Sequence, residues 1–474
     1  MNIKGTQKSP GKSTATVGTV LNYNEVVEFL NAHWSTNIQD KDFKVLKKID
    51  KELGNPSEKV AVVAVAGSNG KSITINLAAQ LLKEEGLKVG CLYSPHILTY
   101  NERIALNNES VPNKVFTEIG NDVIRIIKTA GLTAHSQEVL LAMALHHFAK
   151  SDVDVVLVEV PEGFEVNPIS FCNPKITAIT RVISDAPLKD GDIPQKLLDE
   201  IFSVVKPGSY VVSADQSKLY LQTMLERSAE CKANWSMPIR KLAQLSYPFE
   251  QIHGRCAALA ERIADIFVNT LAYKDAIVVG KSLIAKEKGQ RGRPTLEAKR
   301  QAELNPKRTV EQFWRETENG LSGRFQLLDR EKPSILLDNA HNMDAFKNLL
   351  LGVRLLHYQR PLKGLTVVVG CNNPELDVTE FLKLFRYFFK KTPGELIICP
   401  VESAVYSKEY SDWDIAKINS EIAAMKIKAC VAENFEQAII EAQSSVDERH
   451  GLVVVTGSSE ILREYWKFKG IKKV

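Results

Sequence analysis

The sequence has no apolar run that approaches the roughly 18 residues needed to span a membrane. Its first residues, MNIKGTQKSPGKSTATVG, contain no apolar core, so we expect no secretory signal and a cytoplasmic protein. The seven cysteines are scattered over 474 residues without a C-x-x-C pair. This argues against a disulfide framework or a cysteine zinc site and is typical of free thiols in a reducing compartment.

The chain also lacks a strong charge of either sign. Its net charge is +4, with 25% charged and 44% hydrophobic residues, the balance of an ordinary globular protein. One stretch, 281–308, departs from this balance: it has nine basic and three acidic residues, a net charge of +6. It is either a solvated linker or helical insertion, or an anion-binding patch that faces nucleotide, polyglutamate or nucleic acid.

Apolar runs that alternate with helical stretches predict a parallel α/β fold. Residues 60–66, Val-Ala-Val-Val-Ala-Val-Ala, end in Gly-Ser-Asn-Gly, and a helical pattern begins near Lys71. Further strands are predicted at 89–93, 153–160, 176–179 and 209–212, and helices at 22–30, 139–148 and 194–205. The alternation favours a doubly wound, mostly parallel sheet in the N-terminal half.

A second alternating set follows Gly320. Its apolar runs lie at 334–337, 365–369, 395–399 and 452–456, and we interpret them as a smaller, Rossmann-like α/β domain. The predicted organisation has four parts. They are a disordered N-terminus over 1–20, a central domain over 21–280, a basic insertion or linker over 281–319 and a C-terminal domain over 320–474.

Residues 66–72, Ala-Gly-Ser-Asn-Gly-Lys-Ser, lie where a phosphate-binding loop belongs, between a strand and a helix. Glycines allow a tight turn with inward N–H groups, and the helix adds its positive N-terminus. The strict G-x-x-x-x-G-K-[ST] pattern is not met, because Val65 stands at its first glycine. A second Gly-Lys-Ser, at 11–13, has no strand before it and is attributed to chance.

Seven short motifs in a fixed order extend this signal. They are Leu-Gly-Asn-Pro at 53–56, the loop at 66–71, the pair Ser-Pro-His at 94–96 and Asn-Glu-Arg-Ile at 101–104, Glu-Val at 159–160, Ser-Gly-Arg-Phe at 322–325, Asp-Asn-Ala-His-Asn at 338–342 and Val-Thr-Gly-Ser at 455–458. The series resembles the folylpolyglutamate synthase and dihydrofolate synthase family of the Mur ligase superfamily. Each motif alone is short, so the order carries the signal.

The resemblance implies an ATP-dependent amide-bond ligase that adds glutamate to a folate carboxylate, dihydropteroate or tetrahydrofolate, through an acyl phosphate. The implied catalytic residues are Lys71, Glu159 and His341, and Ser72 and Glu159 would hold Mg²⁺. The implied nucleotide-binding residues are Gly67, Ser68, Asn69, Gly70, Lys71, Ser72, Arg324 and Asp338. The expected cofactors are ATP and Mg²⁺, and the expected substrates are folate or pteroate and L-glutamate. We expect a monomer with no membrane or nucleic-acid partner.

The sequence departs from the family's pattern around the expected site. The family's E-V-G-x-G-G-R-L-D reads Glu-Val-Pro-Glu-Gly-Phe-Glu-Val-Asn at 159–167, which implies a different backbone path. Ala186 and Ile201 stand at the positions of a histidine and a carbamylated lysine that bind a second Mg²⁺, although Asp185 is near. Neither side chain can ligate a metal. We therefore expect one tightly held Mg²⁺ and slow ligation.

Two other functions remain open, one because of these departures and one because of the basic stretch. One is a ligase-like protein with weak or no catalysis that binds ATP and acts as a scaffold or regulator. The other is a nucleic-acid-associated protein that uses the basic stretch 281–308, which a salt-dependent shift on nucleic acid would reveal. An active ligase of the folate–glutamate class remains the favoured function.

Overall fold

The computed structural model describes residues 20–35, 37–164, 166–183, 194–272, 281–285, 308–317, 320–370, 376–402 and 413–473. Two β-sheets with helices on their faces make up this part of the chain. The predicted disordered N-terminus and residues 286–307 of the basic stretch lie outside the described residues, apart from Val20.

The first sheet has eight strands in the order β4-β3-β2-β5-β1-β6-β7-β8. Their bounds are β1 (Ala61–Ala66), β2 (Val89–Leu92), β3 (Ile104–Leu106), β4 (Glu109–Ser110), β5 (Val155–Glu159), β6 (Ile176–Ile179), β7 (Tyr210–Ser213) and β8 (Asn234–Trp235). The β2–β3 and β3–β4 pairs are antiparallel, and the other pairs are parallel. The sheet is therefore mostly parallel.

Strand β1 lies in the middle of this sheet, between β5 and β6. Its side chains alternate between two apolar cores, with Val62 and Ala64 in one and Val63 and Val65 in the other. Burial on both faces explains why the strand reads as a continuous apolar run in the sequence. The chain runs from β1 to β2 towards one edge and from β5 to β6 towards the other, so the direction of the connections reverses between β5 and β1. The carboxyl end at such a switch point is where open α/β sheets bind ligands.

The second sheet has six strands in the order β13-β12-β11-β14-β10-β9. Their bounds are β9 (Gln326–Leu328), β10 (Ser334–Leu337), β11 (Leu365–Val369), β12 (Glu395–Ile398), β13 (Ala429–Val431) and β14 (Leu452–Thr456). Among the described strands of this sheet, the edge pair β9–β10 is antiparallel and the other pairs are parallel. Leu336 and Leu337 of β10 face opposite cores, as in β1.

Helices cover both faces of the two sheets. Their bounds are α1 (Tyr23–Ala32), α2 (Lys44–Glu52), α3 (Pro56–Lys59), α4 (Lys71–Glu84), α5 (Asn113–Ala130), α6 (Ser136–Lys150), α7 (Gln195–Ser203), α8 (Lys218–Glu230), α9 (Phe249–Ile266), α10 (Val310–Glu316), α11 (Met343–Gln359), α12 (Val378–Phe389), α13 (Ile415–Met425), α14 (Phe435–Ser444) and α15 (Ser459–Phe468). Within the described ranges, no helix combines the length and apolar content that a membrane crossing requires.

Helix α9 contacts both halves of the molecule. It packs along α4, the helix that follows β1, and it also contacts α11 beside the second sheet. Ile252 of α9 belongs to a core of the second sheet, and Phe249 meets the Phe325 ring edge-on at 6.0 Å. The short helix α10 packs on the first sheet's side through Trp314. The domain limits at 280 and 319 stay a prediction.

Candidate active site

The predicted phosphate loop connects the carboxyl end of β1 to the start of α4. Gly67 and Gly70 have φ angles of +117° and +87°, which side chains other than glycine rarely adopt. A Cβ on Gly67 would approach Thr180 Oγ1 to 2.5 Å, and one on Gly70 would approach Cys256 Sγ to 2.9 Å. Both glycines are therefore required for the turn and for its packing against the neighbouring elements.

Lys71 begins α4 and is 9% exposed. Its Nζ donates hydrogen bonds to the carbonyl oxygen of Gly67, at 2.6 Å, and to the carboxylate of Glu162. The ammonium group thus lies inside the turn, where a phosphate would approach the loop.

Ser72 and Glu159 form a buried polar pair beside Lys71. Ser72 Oγ donates to Glu159 Oε2 at 2.9 Å, and the same oxygen accepts from the Ser94 backbone N–H at 3.2 Å. Glu159 ends β5 and is 4% exposed. Burial raises its pKa, against the opposing effect of the Lys71 and Arg324 charges. A buried carboxylate beside a hydroxyl is an oxygen-rich pair that suits a hard cation such as Mg²⁺.

Arg324 and Asp338 reach the same place from the second sheet. Arg324 Nη2 donates to Ser72 Oγ at 3.3 Å, which joins the two halves directly. Burial lowers the pKa of Arg324. Asp338 follows β10, and its carboxylate accepts from the backbone N–H groups of Phe325, at 2.8 Å, and Ala340, at 2.9 Å. Burial raises the pKa of Asp338 to about 6.

Further contacts across the cleft involve the phosphate loop itself. The amides of Asn69 and Asn342 exchange hydrogen bonds of 2.9 and 3.0 Å, and Asn69 Nδ2 also donates to Asp344 at 3.1 Å. Asp344 pairs with Arg181, after β6, at 2.7 Å. The first turn of α11 therefore lies directly against the loop that follows β1.

A cavity of about 1080 Å³ lies between the two sheets. It is lined by most of the predicted site residues: Ser68, Asn69, Gly70, Lys71, Ser72, Glu159, Arg324, Asp338 and His341. Gly67 contributes its carbonyl to Lys71. The Ser68 side chain is bonded to the backbone of Ile183, so it is committed to the loop after β6. His341 is exposed at the cavity wall, and its Nδ1 lies 3.1 Å from the Asn339 carbonyl oxygen.

The segments that depart from the family's pattern, around residues 159–167 and at Ile201, lie in different surroundings. Phe164 is 2% exposed and packs with Ile38 and Val166, and residues 161–164 also line the cavity. Ile201 belongs to the core under the first sheet, while Glu200, one residue earlier, lines the cavity. A lysine introduced at 201 would have to bury its charge. Residues 165, 185 and 186 lie outside the described residues.

The residues of the predicted site fit one Mg²⁺ better than a preformed metal cage. Within the described ranges, no group of three or more histidine, cysteine, aspartate or glutamate side chains could hold a metal. Mg²⁺ is usually bound by one or two carboxylates together with substrate phosphates and water. Ser72 and Glu159, at the mouth of the phosphate loop, match that pattern.

Several cavity residues were not predicted from the sequence. They are Glu162, Arg181, Glu200, His253, Arg255, Cys256 and Asp344. Asp344 had a local signal, since it lies two residues after Asn342 in the first turn of a helix. The α9 residues had none, because their role depends on how α9 packs along α4. Burial and the Arg324 charge lower the pKa of His253 to about 4, so that ring is neutral at pH 7.

The raised pKa of Asp338 predicts a pH-dependent stability. The pKa of this carboxyl is about 6 in the folded protein, against an ordinary value of 3.8. Between these two pH values the folded protein holds a proton that the unfolded chain has lost, so the contribution of Asp338 to stability falls as the pH rises. Asp338→Asn removes this titration. Because Asp338 is partly open to the cleft, we expect wild-type stability relative to the variant to fall by about 1–3 kcal/mol across the range. Denaturant unfolding between about pH 4 and pH 7 measures it, and a pH-independent difference would contradict the raised pKa.

The chain is similar in sequence to folylpolyglutamate synthases and dihydrofolate synthases. The chain is 26% identical over 321 residues to the dihydrofolate synthase/folylpolyglutamate synthase of Bacillus subtilis, covering 64% of this chain and 70% of that protein. It is 23% identical over 363 residues to the folylpolyglutamate synthase of Lacticaseibacillus casei, covering 74% and 80%. No family model matches the chain.

Solved structures establish the fold. Mycobacterium tuberculosis folylpolyglutamate synthase complexed with ADP superposes with a TM-score of 0.71 at 18% identity, over 94% of this chain and 98% of that one. The bifunctional folylpolyglutamate synthase/dihydrofolate synthase of Yersinia pestis with Mn, AMPPNP and L-glutamate bound gives a TM-score of 0.69 at 18% identity, over 96% and 100%. The predicted α/β architecture, with two mostly parallel sheets, is confirmed.

The sequence relatives and the fold agree with the ordered motifs, and the departures at 161–167 and 201 set this chain apart from the family's pattern. In sequence and in fold, the chain is similar to folylpolyglutamate synthases and dihydrofolate synthases, with departures of its own at the candidate site.

Proposed function

We propose that this chain is an ATP-dependent carboxylate–amine ligase that joins L-glutamate to the carboxylate of a folate, either dihydropteroate or tetrahydrofolate. The observation that carries the proposal is the contact of Arg324, from the second half, with Ser72 of the phosphate loop. It brings the side chains of two α/β units to one cavity of about 1080 Å³, enough for a nucleotide and a second substrate. Relatives with this fold bind ADP, or AMPPNP, Mn and L-glutamate.

The proposed reaction has two steps. A carboxylate oxygen of the folate attacks the γ-phosphorus of ATP, ADP leaves, and an acyl phosphate forms. The amine of glutamate then attacks the acyl carbon, loses a proton, and expels inorganic phosphate. Each step builds negative charge on phosphoryl oxygens, so positioning and charge neutralisation supply most of the catalysis.

Positive charge that can neutralise the phosphoryl oxygens comes from both sides of the cleft. Lys71 lies inside the phosphate loop, and Arg324 reaches Ser72 from the opposite wall. Ser72 and Glu159 would hold Mg²⁺, which when bound neutralises phosphate charge. Asp338 fixes the Arg324 segment by accepting the Phe325 N–H, and it presents a carboxylate to the nucleotide. We assign His341, exposed at the same wall, to contact with the nucleotide phosphates.

The proposed ligase acts as a monomer in the cytoplasm, without a nucleic-acid or membrane partner. The ligase is favoured over a scaffold without catalysis, since Lys71, Ser72 and Glu159 are in contact with one another or with the loop.

Phosphate release tests the proposed function. The protein is incubated with ATP, Mg²⁺ and L-glutamate, with dihydropteroate, with tetrahydrofolate or with neither acceptor. We expect release that requires both glutamate and one of the two pterins, together with a product lengthened by one glutamyl residue. Release that is independent of the acceptor, or its absence with both pterins, would contradict the proposal.

A further inference from the structure

A carboxylate from the loop after β5 contacts the lysine of the phosphate loop. Glu162 accepts a hydrogen bond from Lys71 Nζ, and two carbonyl oxygens of the loop accept the others, that of Gly67 at 2.6 Å and that of Ser68 at 3.4 Å. An ammonium group has three N–H donors. These three contacts therefore use the full donor capacity of Lys71.

The Glu162 backbone is held on both sides by hydrogen bonds. Asn167 Nδ2 donates to the Pro161 carbonyl oxygen at 2.9 Å. The Gly163 N–H donates to Glu200 Oε2 at 2.9 Å, which ties the loop to α7. With the loop fixed in this way, Glu162 is presented to the phosphate loop by the fold itself.

The three acceptors around Lys71 differ in how easily they can leave. The Gly67 and Ser68 oxygens belong to the backbone of the loop that carries Lys71. The Glu162 side chain is 43% exposed, while that of Lys71 is 10% exposed, so the carboxylate borders the open cavity. Rotation of the Glu162 side chain into the cavity would release Lys71 without disturbing the loop.

We propose that Glu162 is an internal competitor at the nucleotide site: its carboxylate pairs with Lys71 and is displaced by the nucleotide's terminal phosphates. This inference rests on the proposed function, because it requires a nucleotide at the phosphate loop. A carboxylate and a phosphoryl group offer Lys71 the same chemistry, a charged oxygen acceptor. Before a nucleotide binds, Glu162 therefore neutralises the charge of Lys71. A ligand displaces Glu162 only if its anionic group binds Lys71 more strongly than the carboxylate does.

The size of the effect follows from the exposure of the ion pair. Solvent screens a pair in which one partner is nearly half exposed, so its strength is that of a modest surface contact. Removing the Glu162 charge should tighten ATP binding by about three- to fivefold, the upper part of the range for such pairs.

The competition has a signature that separates it from a structural role of the loop. ATP and ADP bring phosphates to Lys71, so both should bind more tightly when the carboxylate is removed. Adenosine has no phosphate and does not compete with Glu162, so its affinity should not change. A general rearrangement of the loop or the cavity would shift all three ligands together.

The experiment is calorimetric titration of the full chain with MgATP, MgADP and adenosine. The variants are Glu162→Gln, which keeps the side chain's size, and Glu162→Ala, which removes its contact with Lys71. The matched control is Glu118→Gln on α5, which removes the same charge from an exposed position of the same half of the molecule. Thermal unfolding of each variant verifies that it is folded.

Tighter ATP and ADP binding by both Glu162 variants, with adenosine binding and the Glu118 control unchanged, supports the inference. If the wild-type protein binds ATP and the Glu162 variants bind it with dissociation constants within about twofold of the wild-type value, the inference is overturned and the proposed function still stands. An equal shift for adenosine also overturns it. Absence of ATP binding in every protein, the wild type included, overturns the nucleotide site and this inference with it.

Discussion

Lys71→Ala should reduce acceptor-dependent phosphate release by about 10²–10³-fold, since a preorganised charge at the reacting group typically contributes that much. Lys71 is 9% exposed and its ammonium group is fixed inside the turn by the Gly67 carbonyl oxygen. Once the bound nucleotide has displaced Glu162, the charge of Lys71 is therefore already in place when phosphate charge develops. ATP affinity should fall as well, because the ground-state phosphates lose the same charged donor.

The measurement is steady-state phosphate release together with ATP titration. Lys83→Ala is the matched control, since Lys83 is an exposed residue in the last turn of the same helix and its loss should change neither quantity. Equal ATP affinity and equal phosphate release in Lys71→Ala and the wild type would remove the phosphate loop from the site.

Glu159→Gln is expected to have the second large effect, on the metal. Glutamine keeps the shape of the side chain but offers a weaker, neutral oxygen to Mg²⁺. We expect Mg²⁺ affinity in the presence of ATP to fall by at least about 10–100-fold, the range seen even when residues that only support metal ligands are changed. Turnover at fixed Mg²⁺ should fall with it, and excess Mg²⁺ should restore part of the loss.

Stability separates this effect from unfolding. Burial raises the pKa of Glu159, so the charged form is disfavoured in its environment and a neutral isostere should not destabilise the fold strongly. Metal titration of turnover and thermal unfolding, performed together, measure both. Unchanged Mg²⁺ dependence in a folded Glu159→Gln protein would place the metal elsewhere.

The buried strands could be predicted closely from the sequence. The predicted bounds of β6, β10, β11 and β14 agree with the structure, and β1 differs by one residue. These strands are buried on both faces, so each is a continuous run of β-branched or aliphatic residues that ends in turn-forming residues. The helix predicted at 22–30 begins after Asn22, whose side chain caps it.

The short strands at the sheet edges, and β3 next to one edge, could not be predicted in this way. Strands β4 and β8 have two residues each, and β3, β9 and β13 have three, most of them only partly buried. Runs this short have no periodicity that a sequence pattern could detect. Their pairing depends on the position of the neighbouring strand, which is tertiary information.

The residues of the candidate site also differ in how well they could be predicted from local sequence. Lys71 and Ser72 follow a recognisable strand–loop–helix pattern, whereas Glu159, Arg324 and Asp338 could be named only through the family's motifs. Glu162 meets Lys71 across 91 positions of sequence, and Asn69 meets Asn342 across 273. No local rule relates such distant residues, so the contact that underlies the Glu162 inference appears only in the folded chain.

The most direct test of the proposed acyl-phosphate mechanism follows the carboxylate oxygens of the acceptor. The pterin acceptor is labelled with oxygen-18 in its carboxylate, and the phosphate released during ligation of glutamate is analysed by mass spectrometry. An acyl phosphate transfers one carboxylate oxygen to phosphorus when the amine expels the phosphate, so we predict one labelled oxygen in each phosphate released. Phosphate without label, released while the glutamyl product forms or while ATP is simply hydrolysed, would contradict the proposed ligase mechanism.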